Sequence, residues 1–177
     1  FTINAMAYNQ TEGLVDLFGG MQDLQDGVIR CVGEATERFS EDALRMLRGV
    51  RFAGQLGFDV EKETLDAIYE LAPTIQNVSK ERIRVEITKL LLSGQPEKLK
   101  LAEDTGLCEY FFPEFRKMLH TTQENPHHTF SVGEHALKAV KHVQELYREM
   151  EKEEMRTSIF SPFDKTFGDE KCKTILV

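Results

Sequence analysis

Three serines stand where helices should begin, and they limit what this chain can fold into. Ser40 follows Phe39 and precedes Glu41-Asp42, so its hydroxyl is placed to cap a helix while two carboxylates lie at the positive end of the helix dipole. Phe39 and Leu44 have the spacing of a hydrophobic staple. Ser79 repeats the device, with Val78 and Ile83 as the staple pair and helical spacing over 80–92. Ser131 opens a third helix, with Glu134 three residues on completing a capping box. Shorter helices are predicted over 62–71, stopped by Pro73, and over 96–103, opened by proline at the first turn. One long charged helix is predicted over 131–156, then a loop over 157–168 and the start of another helix over 169–177.

The first 33 residues have a different texture. Short apolar runs at 5–8, 14–18 and 28–32 are punctuated by Asn9, Gly13, Gly19-Gly20, Gly27 and Gly33, which reads as the tail of a small β or α/β unit. The whole is therefore expected to be mainly α. With 177 residues there is room for one ordinary domain or two to three small helical ones, and 41% apolar with 29% charged residues is a globular balance. No apolar run approaches the roughly 18 residues that a membrane-spanning helix needs. Three scattered cysteines, Cys31, Cys108 and Cys172, without a CxxC, exclude a disulfide scaffold and a cysteine zinc site and fit a reducing cytoplasm. The opening Phe1-Thr2-Ile3-Asn4 reads as neither a natural N-terminus nor a signal peptide, so a piece of a longer protein is expected.

The net charge of −8 argues against an evenly basic surface, but local positive charge still binds phosphate. The arginines are clustered. On a helix over 41–51 and its continuation, Ala43, Met46, Leu47, Val50 and Ala53 form one apolar arc, and Arg45, Arg48 and Arg51 step along the other side. Asp42 lies at the edge, near Arg45. One reading is a solvated face with an Asp42–Arg45 or Glu41–Arg45 pair worth roughly 0.2–0.5 kcal/mol. The other is an anion and nucleobase site. A carboxylate accepts from an exocyclic amino group while a neighbouring guanidinium donates to the adjacent ring acceptor, a pairing that suits cytosine or adenine and sets a carbonyl of uracil or guanine against the carboxylate.

The stretches Phe1-Thr2-Ile3-Asn4-Ala5, Gly13-Leu14-Val15-Asp16 with Phe18-Gly19-Gly20 and Asp23-Leu24, Ile29-Arg30-Cys31-Val32-Gly33, Arg38-Phe39-Ser40-Glu41-Asp42-Ala43-Leu44-Arg45-Met46-Leu47-Arg48 with Arg51-Phe52-Ala53, and Val78-Ser79-Lys80-Glu81-Arg82-Ile83 occur in order over about residues 1–120. Together they resemble the bacterial tRNA nucleotidyltransferase (CCA-adding enzyme) and poly(A) polymerase family. The resemblance implies a nucleotidyltransferase head remnant at 1–33, a helical neck that selects the nucleotide at 34–92, a body at 93–120 and the start of an HD domain at 121–177. It implies that Asp42 and Arg45 read the base of CTP or ATP, that Arg48 and Arg51 hold the nucleotide and its triphosphate, and that Asn4 lines the nucleotide pocket. Asp16, Gly19, Gly20 and Asp23 match a hinge between head and neck, although a glycine turn between strands accounts equally well for Gly19 and Gly20. The tRNA 3′ end is the implied partner, and a cytoplasmic enzyme without a membrane anchor the implied setting.

In that family two metal ions, Mg2+, assist attack of the RNA 3′-hydroxyl on the α-phosphate, held by head-domain carboxylates in an Asp-x-Asp. No Asp-x-Asp occurs here, so no catalytic residue is expected in this chain, and the chain alone is expected to be inactive as a polymerase. Asn125-Pro126-His127-His128 and Val132-Gly133-Glu134-His135 resemble the opening of an HD domain, where His135 matches the first metal histidine. A capping or half-buried histidine set, with His142 seven residues beyond His135, explains the same residues. The sequence holds no His-Asp, so the metal site is incomplete and no bound metal is expected. Three other readings remain open: a helical nucleotide- or RNA-binding module, a poly(A) polymerase segment, and an HD phosphohydrolase segment.

Overall fold

The computed structural model describes residues 1–122 and 130–152. A 3-10 turn at Thr2–Asn4 leads into a hairpin of β1 (Met6–Asn9) and β2 (Gly13–Asp16), antiparallel with Met6 opposite Asp16 and Asn9 opposite Gly13. Helix α1 (Gly20–Asp26) and the short β3 (Val28–Ile29) complete a small α/β unit, one of the two readings expected of 1–33. Helices α2 (Ala35–Glu41) and α3 (Leu44–Leu56) follow, then β4 (Asp59–Val60), which returns to lie parallel to β3. Next come α4 (Lys62–Leu71), a 3-10 turn at Ala72–Asn77 and α5 (Lys80–Leu91). A second 3-10 turn, Pro96–Lys98, precedes α6 (Leu99–Asp104), α7 (Leu107–Phe111), α8 (Pro113–His120) and α9 (Val132–Lys152).

The expected mainly helical fold is what forms, with α3 at its centre. Met46, Leu47 and Val50 present its apolar arc to Ile68, Ile75, Leu90, Leu99 and Leu107, all essentially buried. Each such side chain contributes about 1.5–3 kcal/mol through removal from water. Ala53 turns the other way, joining Ile3, Ile29 and Val60 in a second cluster that seats the N-terminal segment on α3. Gly54 permits the close approach of α5: a Cβ there would fall 2.4 Å from Leu90 Cδ1. Among the described residues no helix is long and apolar enough to cross a membrane.

Two of the three serine starts form as expected. Ser79 Oγ accepts from the Arg82 amide at 3.5 Å, and Ser131 and Glu134 make the reciprocal box, with Glu134 N donating to Ser131 Oγ and Ser131 N donating to Glu134 Oε2, both at 3.2 Å. Ser40 does not start a helix. It lies in the last turn of α2 and donates to the Thr36 carbonyl at 2.7 Å. The break falls two residues later: Asp42 is extended (φ −151°, ψ 104°), and its Oδ1 accepts from the Leu44 amide at 3.1 Å, so a carboxylate rather than a hydroxyl starts α3. The helix predicted over 96–103 splits into a 3-10 turn and α6. The loop over 157–168 and the helix over 169–177 lie outside the described residues.

Candidate functional site

The extended residue between α2 and α3 decides where the charged side chains go. Its carboxylate, Asp42, does not turn to Arg45. Oδ2 accepts from Arg82 Nη2 of α5 at 2.8 Å, while Oδ1 stays on the Leu44 amide. Burial pushes this carboxyl up, but the Arg82 hydrogen bond, the Leu44 amide and the Arg82 and Arg45 charges outweigh it and hold its pKa below the ordinary aspartate value. Arg45 donates to the Arg38 carbonyl at 3.0 Å and pairs with Glu41 Oε2 at 2.5 Å. Of the two pairs foreseen on this face, the Glu41–Arg45 one forms.

Arg45 and Arg48 line a cleft of about 280 Å³ with Arg38 of α2. Phe1, Asn4, Cys31 and Val32, from the N-terminal segment, close the other side. The fold thus brings Asn4 to the same cleft as Arg45 and Arg48. Among the described residues no carboxylate lines the cleft, although Glu37 and Glu41 pair with Arg38 from outside it, at 3.7 and 2.9 Å. Such a hollow favours an anion with planar edges, since guanidiniums offer forked donors. Arg38 is not among the residues expected at the site, although it opens the stretch 38–48 that resembles the family and stands seven residues before Arg45, two turns along the same side; the break at Asp42 obscures that relation.

Arg51 leaves the stripe. Its Nε donates to Glu86 Oε2 at 2.6 Å and its guanidinium carbon lies 4.0 Å from the Phe52 ring centroid, away from the cleft. Arg48 stays 6.0 Å from the same ring.

The residues expected at a hinge lie together around one turn. Asp16 accepts from the Phe18, Gly20 and Met21 amides at 3.3, 2.9 and 2.8 Å, and these donors hold its carboxyl below the usual range. Gly19 and Gly20 stand at a strand-to-helix turn rather than between strands. Gly19 is left-handed (φ +74°), and a Cβ on Gly20 would fall 2.4 Å from the Thr2 carbonyl oxygen. Buried Asp23 accepts from Thr2 Oγ1 at 2.6 Å and from Arg30 Nε at 3.2 Å, tying α1 to the first residues.

The His135 amide donates to the Ser131 carbonyl in the first turn of α9, and His142 Nδ1 lies 3.4 Å from Glu145. His127 and His128 lie outside the described residues. Among the described residues no three of His, Cys, Asp and Glu are grouped to hold a metal ion.

Two family models match the chain: "Poly A polymerase head domain" over residues 1–30 and "Probable RNA and SrmB- binding site of polymerase A" over residues 57–119. The CCA-adding enzyme of Leuconostoc mesenteroides subsp. mesenteroides is 50% identical over 111 residues, which is 62% of this chain and 28% of that protein. Over these stretches the chain is similar to the CCA-adding enzyme and poly(A) polymerase family. The fold agrees with this similarity. The crystal structure of the Bacillus stearothermophilus CCA-adding enzyme in complex with CTP is similar at 44% identity and a TM-score of 0.59, covering 63% of this chain and 28% of that one. A tRNA nucleotidyltransferase complexed with a primer tRNA and an incoming ATP analog is similar at 27% identity and a TM-score of 0.58, covering 85% and 41%. The chain spans roughly a quarter to two fifths of the length of these members.

Proposed function

We propose that this chain is the nucleotide-selecting part of a template-independent RNA nucleotidyltransferase that adds C and A to the tRNA 3′ end from CTP and ATP. The observation that carries this reading is the cleft of Arg38, Arg45 and Arg48, closed by Asn4 and lined by no carboxylate among the described residues. Asp42 accepts from the exocyclic amino group of cytosine or adenine, and Arg45 donates to the adjacent ring acceptor. Arg48 and Arg38 hold the anionic part of the nucleotide, and Arg51 supports them by fixing α5 against α3. Relatives described in complex with CTP, with ATP and with a primer tRNA support the same substrates and partner here.

Residues 1–33 serve as the end of a head, 34–92 as the neck, 93–120 as a body and 121–177 as the opening of an HD domain, with Asp16, Gly19, Gly20 and Asp23 as the joint between the first two. Magnesium belongs to this reading only through the rest of the catalytic centre. Among the described residues no group of three or more His, Cys, Asp and Glu is placed to hold it. A cytoplasmic location goes with the same reading.

Calorimetric titration of the 177-residue chain with CTP, ATP, UTP and GTP tests it. CTP and ATP are expected to bind, weakly, and ahead of UTP and GTP. Equal affinity for all four, or no binding of any, contradicts it.

A further inference from the structure

An ionised carboxylate offers about four lone-pair positions. In Asp42 one on Oδ1 is taken by the Leu44 amide and one on Oδ2 by Arg82 Nη2. The plane of the carboxylate is thus set by two donors, one two residues away and one forty residues away on α5. Arg82 is not what seats α5 on α3. That task falls to the nearly buried Arg51–Glu86 pair and to the Gly54–Leu90 contact, while the Arg82 side chain is 52% exposed at the outer end of the helix pair.

We propose that Arg82 is a specificity-determining positioning residue, whose guanidinium holds the Asp42 carboxylate so that one of its unused lone pairs accepts from the amino group of an incoming cytosine or adenine. The inference rests on the reading of Asp42 as the base acceptor. A carboxylate free to rotate about Cβ–Cγ meets the correct amino group in fewer of its orientations and no longer sets a fixed negative edge against a uracil carbonyl. Loss of Arg82 therefore raises KM for the right nucleotide and relaxes rejection of the wrong one. The single contact to Nη2 makes lysine, which keeps one charged donor, a partial substitute.

The test uses the intact nucleotidyltransferase that carries this segment, with Arg82→Gln, Arg82→Lys, Asp42→Asn and the double variant R82Q/D42N, measuring kcat/KM for CTP and UTP together with thermal melting. Arg82→Gln is expected to lower the CTP-to-UTP ratio by roughly tenfold, mainly through KM for CTP, with melting close to the parent. Arg82→Lys recovers most of that ratio, and the double variant is no less selective than Asp42→Asn alone. If Asp42→Asn loses selectivity while Arg82→Gln keeps it, or if Arg82→Gln slows CTP and UTP in parallel with lowered melting, Arg82 is only a brace and the inference fails while the reading of Asp42 stands. Full selectivity in Asp42→Asn overturns both.

Discussion

Arg51 Nε donates to Glu86 Oε2 at 2.6 Å with only 12% and 10% of the two side chains exposed, which places an ion pair of α3 and α5 almost out of water. Removing one member leaves a nearly buried charge without its partner. Glu86→Ala is expected to destabilise the chain by about 3 kcal/mol, read as a shift of the urea unfolding midpoint. The double variant with Arg51→Met, which removes both charges, should recover much of the loss. A Glu86→Ala midpoint equal to the parent's would contradict the pair's role.

Gly20 meets Thr2 through backbone, so the neighbour has no flexible side chain to move aside. Gly20→Ala is expected to destabilise by roughly 1–3 kcal/mol and to speed hydrogen exchange of the α1 amides. Gly19→Ala strains only its own left-handed backbone, with nothing within 4 Å of the new Cβ, and costs about 1–2 kcal/mol.

The pH dependence follows from carboxyls held low in the folded state. Asp16 is lowered by the Met21 and Gly20 amides, and Glu134 by Lys100 and the Ser131 amide. Asp42 is lowered on balance, despite burial, by Arg82 and the Leu44 amide. Their contribution is present above the unfolded carboxyl range of about 4 and is lost as pH falls through the lower folded values. Unfolding free energy should be level from pH 7 to about 5 and fall below about 4, with a shallower acid slope in Asp16→Asn, followed by denaturant titration at each pH.

Cys108 is fully buried, and burial together with the nearby Glu103 and Asp104 charges pushes its thiol up to about 12. The thiolate is the reactive form, so a thiol reagent at pH 8 should modify Cys108 only at the rate of unfolding. Peptide mapping that finds it modified within seconds under native conditions would contradict this packing.

Features written into neighbouring residues were legible in the sequence: the Ser79 cap, the Ser131–Glu134 box and the apolar arc of α3 each depend on spacings of three or four. Ser40 misled because its hydroxyl bonds back to Thr36, and because Asp42, two residues on, is the better cap. The β3–β4 pairing joins residues about thirty apart through two bridges, too short to leave a strand pattern. The departure of Arg51 and the turn of Asp42 toward Arg82 depend on how α5 lies on α3, a relation that no local spacing records. The Glu41–Arg45 pair could be named from spacing; the Arg82 partner of Asp42 and the Glu86 partner of Arg51 could not.

In the function proposed above, Asp42 and Arg45 choose the base. The most direct measurement is incorporation of CTP, ATP, UTP and GTP at the 3′ end of a tRNA lacking its terminal nucleotides, by the intact nucleotidyltransferase and by its Asp42→Ala and Arg45→Ala variants. Each variant is predicted to lose about 1–3 kcal/mol of discrimination between C or A and U or G. Preference for C and A unchanged in both variants would contradict the account.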